Sequence, residues 1–252
     1  MKVKSLKKFK FFYEIIRFFH KKYLRVYNSL FKHKFNSVIL SLLKRKIEIN
    51  TIYDIGACQG EWTKIVSETC LKNKEFILFE ANKEHADHLK KTGHRYFLNL
   101  LSDKEKEVKF YSTASSGDSY YIEKSIYYGK SLSPKIMQTS TLDILQKKND
   151  LPYPDFIKID TQGSEIDILS GGNEALKKCK IVLLECPIVS YNDGAPNLDE
   201  YIKYLDKIGY LPIEICDIHH TDKVLVQIDI IFLKKDIFNK IYTDKKVLNL
   251  FK

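Results

Sequence analysis

Ile52-Tyr53-Asp54-Ile55-Gly56-Ala57-Cys58-Gln59-Gly60 is the stretch that decides how this 252-residue chain reads. A strand ends in Asp54. A glycine-punctuated turn follows, and a helical pattern opens near Glu61. Glycine lets the backbone come close to a ligand, and the free amides at a helix start favour an anionic group. The next strand pattern ends at Glu80, 24 residues past Gly56, where a carboxylate can accept both hydroxyls of an adenosine ribose. The glycine spacing separates the cofactors. A dinucleotide loop wants G-x-G-x-x-G, whereas this one is G-x-x-x-G with Cys58 at the middle position, which disfavours a pyrophosphate and a nicotinamide cofactor.

Working outward, short apolar runs alternate with helical patterns. Strands are expected at Thr51–Ile55, Glu75–Phe79, Arg95–Leu101, Asp155–Ile159, Lys180–Glu185, Tyr210–Cys216 and Lys223–Leu233. Helices are expected at about Glu61–Leu71, Lys83–Lys91, Glu165–Lys178 and Leu198–Ile208. Strands apolar throughout and separated by helices imply a mostly parallel sheet covered on both faces. No helix intervenes between the last two strands, so they are expected to form an antiparallel hairpin at one edge. The Ser/Gly/Tyr-rich stretch Ser112–Ser133 reads as an irregular insertion of the kind that covers a site.

A second constellation is Asp155-Phe156-Ile157-Lys158-Ile159-Asp160-Thr161-Gln162-Gly163-Ser164-Glu165. It places Asp160 at the carboxyl end of a central strand, which in an open α/β sheet faces the ligand crevice. The plainer readings are a helix cap for Asp160 and a dipole-complementing first-turn acid for Glu165.

With these residues in view, the sequence resembles the FkbM family of methyltransferases from about Thr51 to Lys234. Seven blocks follow in order: DIGACQG, FEANKEH, NLLSDKEKEVKFY, TSTLDIL, FIKIDTQGSEIDILSGG, IVLLEC and DIIFLKKD. The resemblance implies a class I methyltransferase Rossmann-like fold, S-adenosylmethionine as donor, and a hydroxyl acceptor on a sugar, glycan or small natural product. It puts Asp54, Gly56 and Gly60 in the donor loop and Glu80 on the ribose. Ala57, Ala81, Ser102, Asp103 and Asp160 are the further expected donor contacts. The strand-four motif falls on Lys158, Asp160, Gly163 and Glu165, of which Lys158 and Glu165 are expected at the acceptor. The chain departs from the family pattern at Cys58, where Asn is common, and at Ala81, where Pro is common.

A hydroxyl is a poor nucleophile at neutral pH, so a positioned base should add about 10²–10⁴-fold. Asp160, Glu185 at the end of strand five, and His219 or His220 beyond strand six are the candidates. No metal is expected. A base methyltransferase of nucleic acid typically carries Asn/Asp-Pro-Pro-aromatic where this chain has Asp160-Thr161-Gln162-Gly163, so nucleic acid is not an expected partner. A non-catalytic module recruiting glycan or lipid-linked partners is the alternative from a different class.

The formal charge of +10 belongs to one end. Residues 1–49 hold 14 Lys/Arg against Glu14 and Glu48, net +12, leaving 28 bases against 30 acids, net −2, elsewhere. This N-terminal arm is read as one or two amphipathic helices, with Phe9, Phe12, Ile16, Phe19, Tyr23, Tyr27 and Leu30 along one face. It packs on residues 50–252, the methyltransferase domain, or across a homo-oligomer, or else lies on an anionic membrane surface. Five cysteines with no C-x-x-C pair suit reduced thiols. With no apolar leader-like run and no ~20-residue apolar span, a cytoplasmic protein, peripheral to a membrane at most, is expected.

Overall fold

The computed structural model describes residues 34–112, 117–124 and 133–242. The amphipathic pattern from Phe9 to Leu30 lies outside the described residues. A helix over 34–44 (α1) opens the described chain. It buries Phe35, Ile39 and Leu42 along one side, and Phe35 stacks on Phe156 at 6.1 Å and meets Trp62 edge-on at 5.7 Å. No described helix is long and apolar enough to cross a membrane.

Seven strands make the main sheet: β1 (Thr51–Ile55), β2 (Glu75–Glu80), β3 (Arg95–Leu98), β7 (Phe156–Ile159), β8 (Ile181–Pro187), β9 (Tyr210–Thr221) and β10 (Val224–Lys234). Their order is β3-β2-β1-β7-β8-β10-β9, all parallel except β10, which runs antiparallel to both neighbours. This is the class I methyltransferase Rossmann-like fold. Side chains alternate between two cores. Tyr53, Ile55, Ile77, Phe79, Ile157 and Ile159 enter one, while Ile52, Phe76, Leu78 and Phe156 enter the other. Burial on both faces is why these strands read as unbroken apolar runs.

Helices α2 (Glu61–Glu68), α3 (Ala86–Lys91, entered through a 3₁₀ turn at Lys83–His85), α4 (Leu142–Lys148), α5 (Glu165–Ser170), α6 (Asn173–Lys178), α7 (Leu198–Lys207) and α8 (Lys235–Tyr242) complete the elements. Thr141 caps α4, its hydroxyl accepting from the Ile144 amide at 3.1 Å. Glu200 accepts from the Asn197 amide at 2.9 Å at the start of α7.

Three expectations are corrected. Arg95–Leu101 is two strands, because the chain leaves β2 at Asn99. β4 (Leu100–Leu101) then joins a small second sheet with β5 (Glu107–Phe110) and β6 (Lys135–Ser140), in the order β4-β6-β5. Glu165–Lys178 is two helices broken at Gly171-Gly172. A Cβ on Gly171 would lie 2.2 Å from the Ser102 carbonyl, so the chain must turn there with no side chain. Finally, β9 runs on to Thr221, so His219 and His220 lie within a strand rather than beyond it.

Candidate active site

Chain order along the sheet reverses at β1 and β7, and the crevice above their carboxyl ends is where an open α/β sheet binds its ligand. The turn after β1 is built for close approach. Gly56 has φ 72°, and a Cβ there would sit 1.9 Å from the Asp160 carbonyl oxygen at the end of β7. The Gly56 and Ala57 amides donate to the Phe79 carbonyl at 2.9 and 3.1 Å, tying the turn to β2. Cys58 takes a left-handed φ of 50°, a conformation Asn tolerates better than most residues. Gly60, at φ 78°, precedes α2.

Glu80 closes the loop from the other side. One carboxylate oxygen accepts from the Cys58 amide at 2.7 Å and the other from the Asn82 amide at 2.8 Å. Burial pushes its carboxyl above the usual carboxylate range, and the two amides oppose that shift. Each oxygen keeps a second lone pair for a ribose hydroxyl. A crevice opens above the turn. Gly56, Cys58, Glu80, Ala81, Leu101 and Asp160 are among the residues lining it.

Under the loop lies a buried ion cluster. The Lys158 ammonium sits 3.3 Å from Asp54 and 3.3 Å from Asp160, and donates to the Gly56 carbonyl at 3.3 Å. Asp54 is fully buried and also accepts from the Thr63 hydroxyl at 2.6 Å. Burial alone would push the Lys158 ammonium toward neutrality. The Asp160 and Asp54 carboxylates outweigh it and hold the group charged, above its ordinary value. Lys158 thus braces the donor loop from below and does not reach the open crevice.

Glu165 has a supporting place too. It is 1% exposed, and its carboxylate accepts from the Thr161 amide at 2.9 Å, the Gly163 amide at 3.0 Å and the Tyr201 hydroxyl at 2.5 Å. It shapes the turn after β7 instead of meeting an acceptor. Ser102 is buried with its hydroxyl 3.2 Å from that of Tyr120, and Asp103 pairs with Lys106 at 2.6 Å; neither lines the crevice. The Lys106 ammonium holds the Asp103 carboxyl below the usual range.

Beyond Asp160 the ends of β8, β9 and β10 carry a polar group that sequence reading found only in part. Glu185 takes the Gln162 amide at 2.5 Å on one oxygen and the Gln227 amide on the other. Burial, then the nearby Asp160 and Asp229 carboxylates, raise its carboxyl well above the usual range. Polar atoms of Glu185, His219 and Asp229 all lie within 4.8 Å of one another. His220 is exposed. Gln162, Tyr191, Gln227 and Asp229 were missed. A lone Asp in the apolar run Val224–Leu233 was the available signal for the last of them. Residues 117–124 fold against the crevice. Tyr120 and Tyr121 donate to Asp167 at 2.7 and 3.0 Å, and Ser119 donates to the Gln162 carbonyl at 2.9 Å.

A reversal between β1 and β7, a glycine turn pressed on the β7 end and an acid closing β2 define a S-adenosylmethionine-dependent methyltransferase. The chain belongs to the FkbM methyltransferases: residues 54–212 match the family described as the methyltransferase FkbM domain. S-adenosylmethionine is its cofactor. A hexuronic acid methyltransferase, AglP of Haloferax volcanii, is 24% identical over 153 residues, which are 59% of this chain and 60% of that protein. The match therefore spans less than two thirds of the relative's length. Among solved structures, an FkbM methyltransferase from Methylobacillus flagellatus is similar at 16% identity and a TM-score of 0.44, covering 73% of this chain and 44% of that one. A precorrin-6y C5,15-methyltransferase from Geobacter metallireducens is similar at 16% identity and a TM-score of 0.43, covering 79% and 87%. The fold rests on the strand order, not on these likenesses.

Proposed function

We propose that the chain transfers the methyl group of S-adenosylmethionine to a hydroxyl of a sugar, glycan or small natural product. The observation that carries this reading is the polar group beyond Asp160, where Glu185, His219 and Asp229 converge and Gln162 links Glu185 to Asp160 at the crevice. Carboxylate, imidazole and amide side chains suit the orientation and deprotonation of a hydroxyl. The partial match to a protein named as a hexuronic acid methyltransferase supports a sugar acceptor.

Glu80 holds the ribose, and the Gly56–Gly60 turn lets the donor approach the backbone, with Ala57 and Ala81 flanking. Aligning the donor methyl with the acceptor oxygen is worth about 7–11 kcal/mol where the geometry is right. One of Asp160, Glu185 and His219 takes the acceptor's proton. The protein works in the cytoplasm, and its +12 arm offers a contact for an anionic membrane surface or for a second copy of the chain.

The test incubates the full chain with S-adenosylmethionine and a panel of methyl glycosides that includes neutral, amino and uronic forms. S-adenosylhomocysteine release and the position of the new methyl group are then read by NMR. Methyl on a sugar oxygen is expected. Methyl on nitrogen, or turnover on nucleic acid but on no glycoside, would overturn the reading.

A further inference from the structure

The three candidate bases do not stand alike. One oxygen of Asp160 is 3.3 Å from the Lys158 ammonium, so this carboxylate is committed to the ion cluster that braces the donor loop. Both oxygens of Glu185 are taken by side-chain amides, those of Gln162 and Gln227. His219 differs. Its Nε2 lies 3.3 Å from Asp229 Oδ1, an ion-pair distance, and neither atom makes a hydrogen bond to any described residue.

The sheet sets this pair up. Register places Asp229 between Glu185 on β8 and Asp217 on β9, and places Gln227 opposite His219. Residues 227 and 229 share a face, so His219 is the diagonal neighbour of Asp229. Register shifts at Leu225/Gln227 and at Asp229/Ile230 bracket the pair, and bulges of this kind re-aim side chains beside active sites. The two groups stand at ion-pair distance without hydrogen-bond alignment, as catalytic pairs often do before the substrate arrives.

We propose that His219 is the general base for the acceptor hydroxyl and that Asp229 is its positioning residue, fixing the Nε2–H tautomer and leaving Nδ1 to take the proton. The inference rests on methyl transfer to oxygen. As the acceptor O–H proton passes to Nδ1, an oxygen lone pair forms the bond to the donor methyl. The methyl–sulfur bond breaks with its electrons going to sulfur, and S-adenosylhomocysteine is released. Asp229 stabilises the imidazolium, which returns its proton to water through a side chain 39% exposed.

The groups facing His219 are Asp229 on β10, Asp217 on its own strand, Glu185 on β8 and Asp160 beyond β7. The Asp229 contact, with Asp217 and Asp160 adding to it, holds the imidazolium above its ordinary value against the opposing effect of burial. The base is therefore protonated, and turnover lost, as pH falls through that raised value.

Two measurements on the full chain test this. The first needs no acceptor: ring-nitrogen NMR of His219 with S-adenosylhomocysteine bound. The neutral imidazole is expected as the Nε2–H tautomer, with a titration that Asp229→Asn moves to lower pH. An Nδ1–H tautomer, or a titration unmoved by Asp229→Asn, would overturn the role of Asp229. The second uses a methyl glycoside that turns over. His219→Gln is expected to lower kcat by about 100-fold or more, with S-adenosylhomocysteine affinity unchanged and part of the loss restored by added imidazole. Asp229→Asn is expected to shift the acid limb of kcat downward. Near wild-type kcat in His219→Gln would remove it as the base. Turnover abolished by EDTA and restored by Mg²⁺ would also overturn the proposal, by giving the cluster to a cation. If no glycoside is methylated the sugar acceptor fails, while the NMR result still judges the pair.

Discussion

Gly56 presses its backbone against the carbonyl of Asp160, leaving so little room that a Cβ would lie 1.9 Å from that oxygen. This contact joins the ends of β1 and β7 and fixes the floor of the donor crevice. It also makes the first glycine of the turn irreplaceable, since the backbone there is left-handed at φ 72° as well as crowded. Gly56→Ala is expected to cost about 2–5 kcal/mol from the strained φ and the overpacking together. Urea unfolding gives the loss, and titration with S-adenosylhomocysteine should show donor binding abolished. A fully stable variant that binds normally would contradict the geometry.

Lys158 lies between Asp54 and Asp160 at 3.3 Å from each, with its side chain 9% exposed. Removing one member of a buried charge cluster leaves the others unpaired. Lys158→Met is therefore expected to destabilise the chain by about 3 kcal/mol, the low end of the usual range because Asp160 is partly open to water. Adding Asp54→Asn should recover part of that loss. Additive losses in the double variant would show that the two groups are not coupled.

Cys58 stands at φ 50°, a left-handed conformation that suits Asn better than Cys. Cys58→Asn is expected to stabilise the protein by about 0.5 kcal/mol, since Asn enters the left-handed region more readily. A thermal denaturation midpoint that falls would show that the 3.7 Å contact of the Cys58 thiol with His85 outweighs the backbone preference.

The proposed ribose contact requires Glu80 ionised to accept two hydroxyls, and burial raises its carboxyl above the usual range. Donor affinity should accordingly fall as pH drops through a midpoint above the ordinary carboxylate value, and Glu80→Gln should remove that dependence along with most of the affinity. Calorimetric titrations between about pH 5 and 8 check both. Affinity that stays flat in the wild type would separate Glu80 from the ribose.

Much of this was legible in the residues. β1 falls where the apolar run Thr51–Ile55 put it, and the turn at Gly56 and the acid at Glu80 sit together as their spacing requires. Strands buried on both faces advertise themselves by composition. The small sheet of β4, β5 and β6 did not, because Glu107–Phe110 and Lys135–Ser140 mix polar and apolar residues at a partly exposed surface. The places of Lys158 and Glu165 were misjudged for a different reason. A charged residue inside a motif looks like a ligand contact in one dimension, and only packing reveals that its charge is spent on neighbouring backbone and carboxylates. Asp229 was hidden likewise, since its partner His219 lies on another strand and is brought near by register alone.

S-adenosylmethionine is expected to bind in the crevice above β1 and β7. Isothermal titration of the full chain with S-adenosylhomocysteine, and separately with NAD, tests it most directly. One molecule of S-adenosylhomocysteine bound per chain, with no heat from NAD, is the predicted result. Binding of NAD with none of S-adenosylhomocysteine would contradict it.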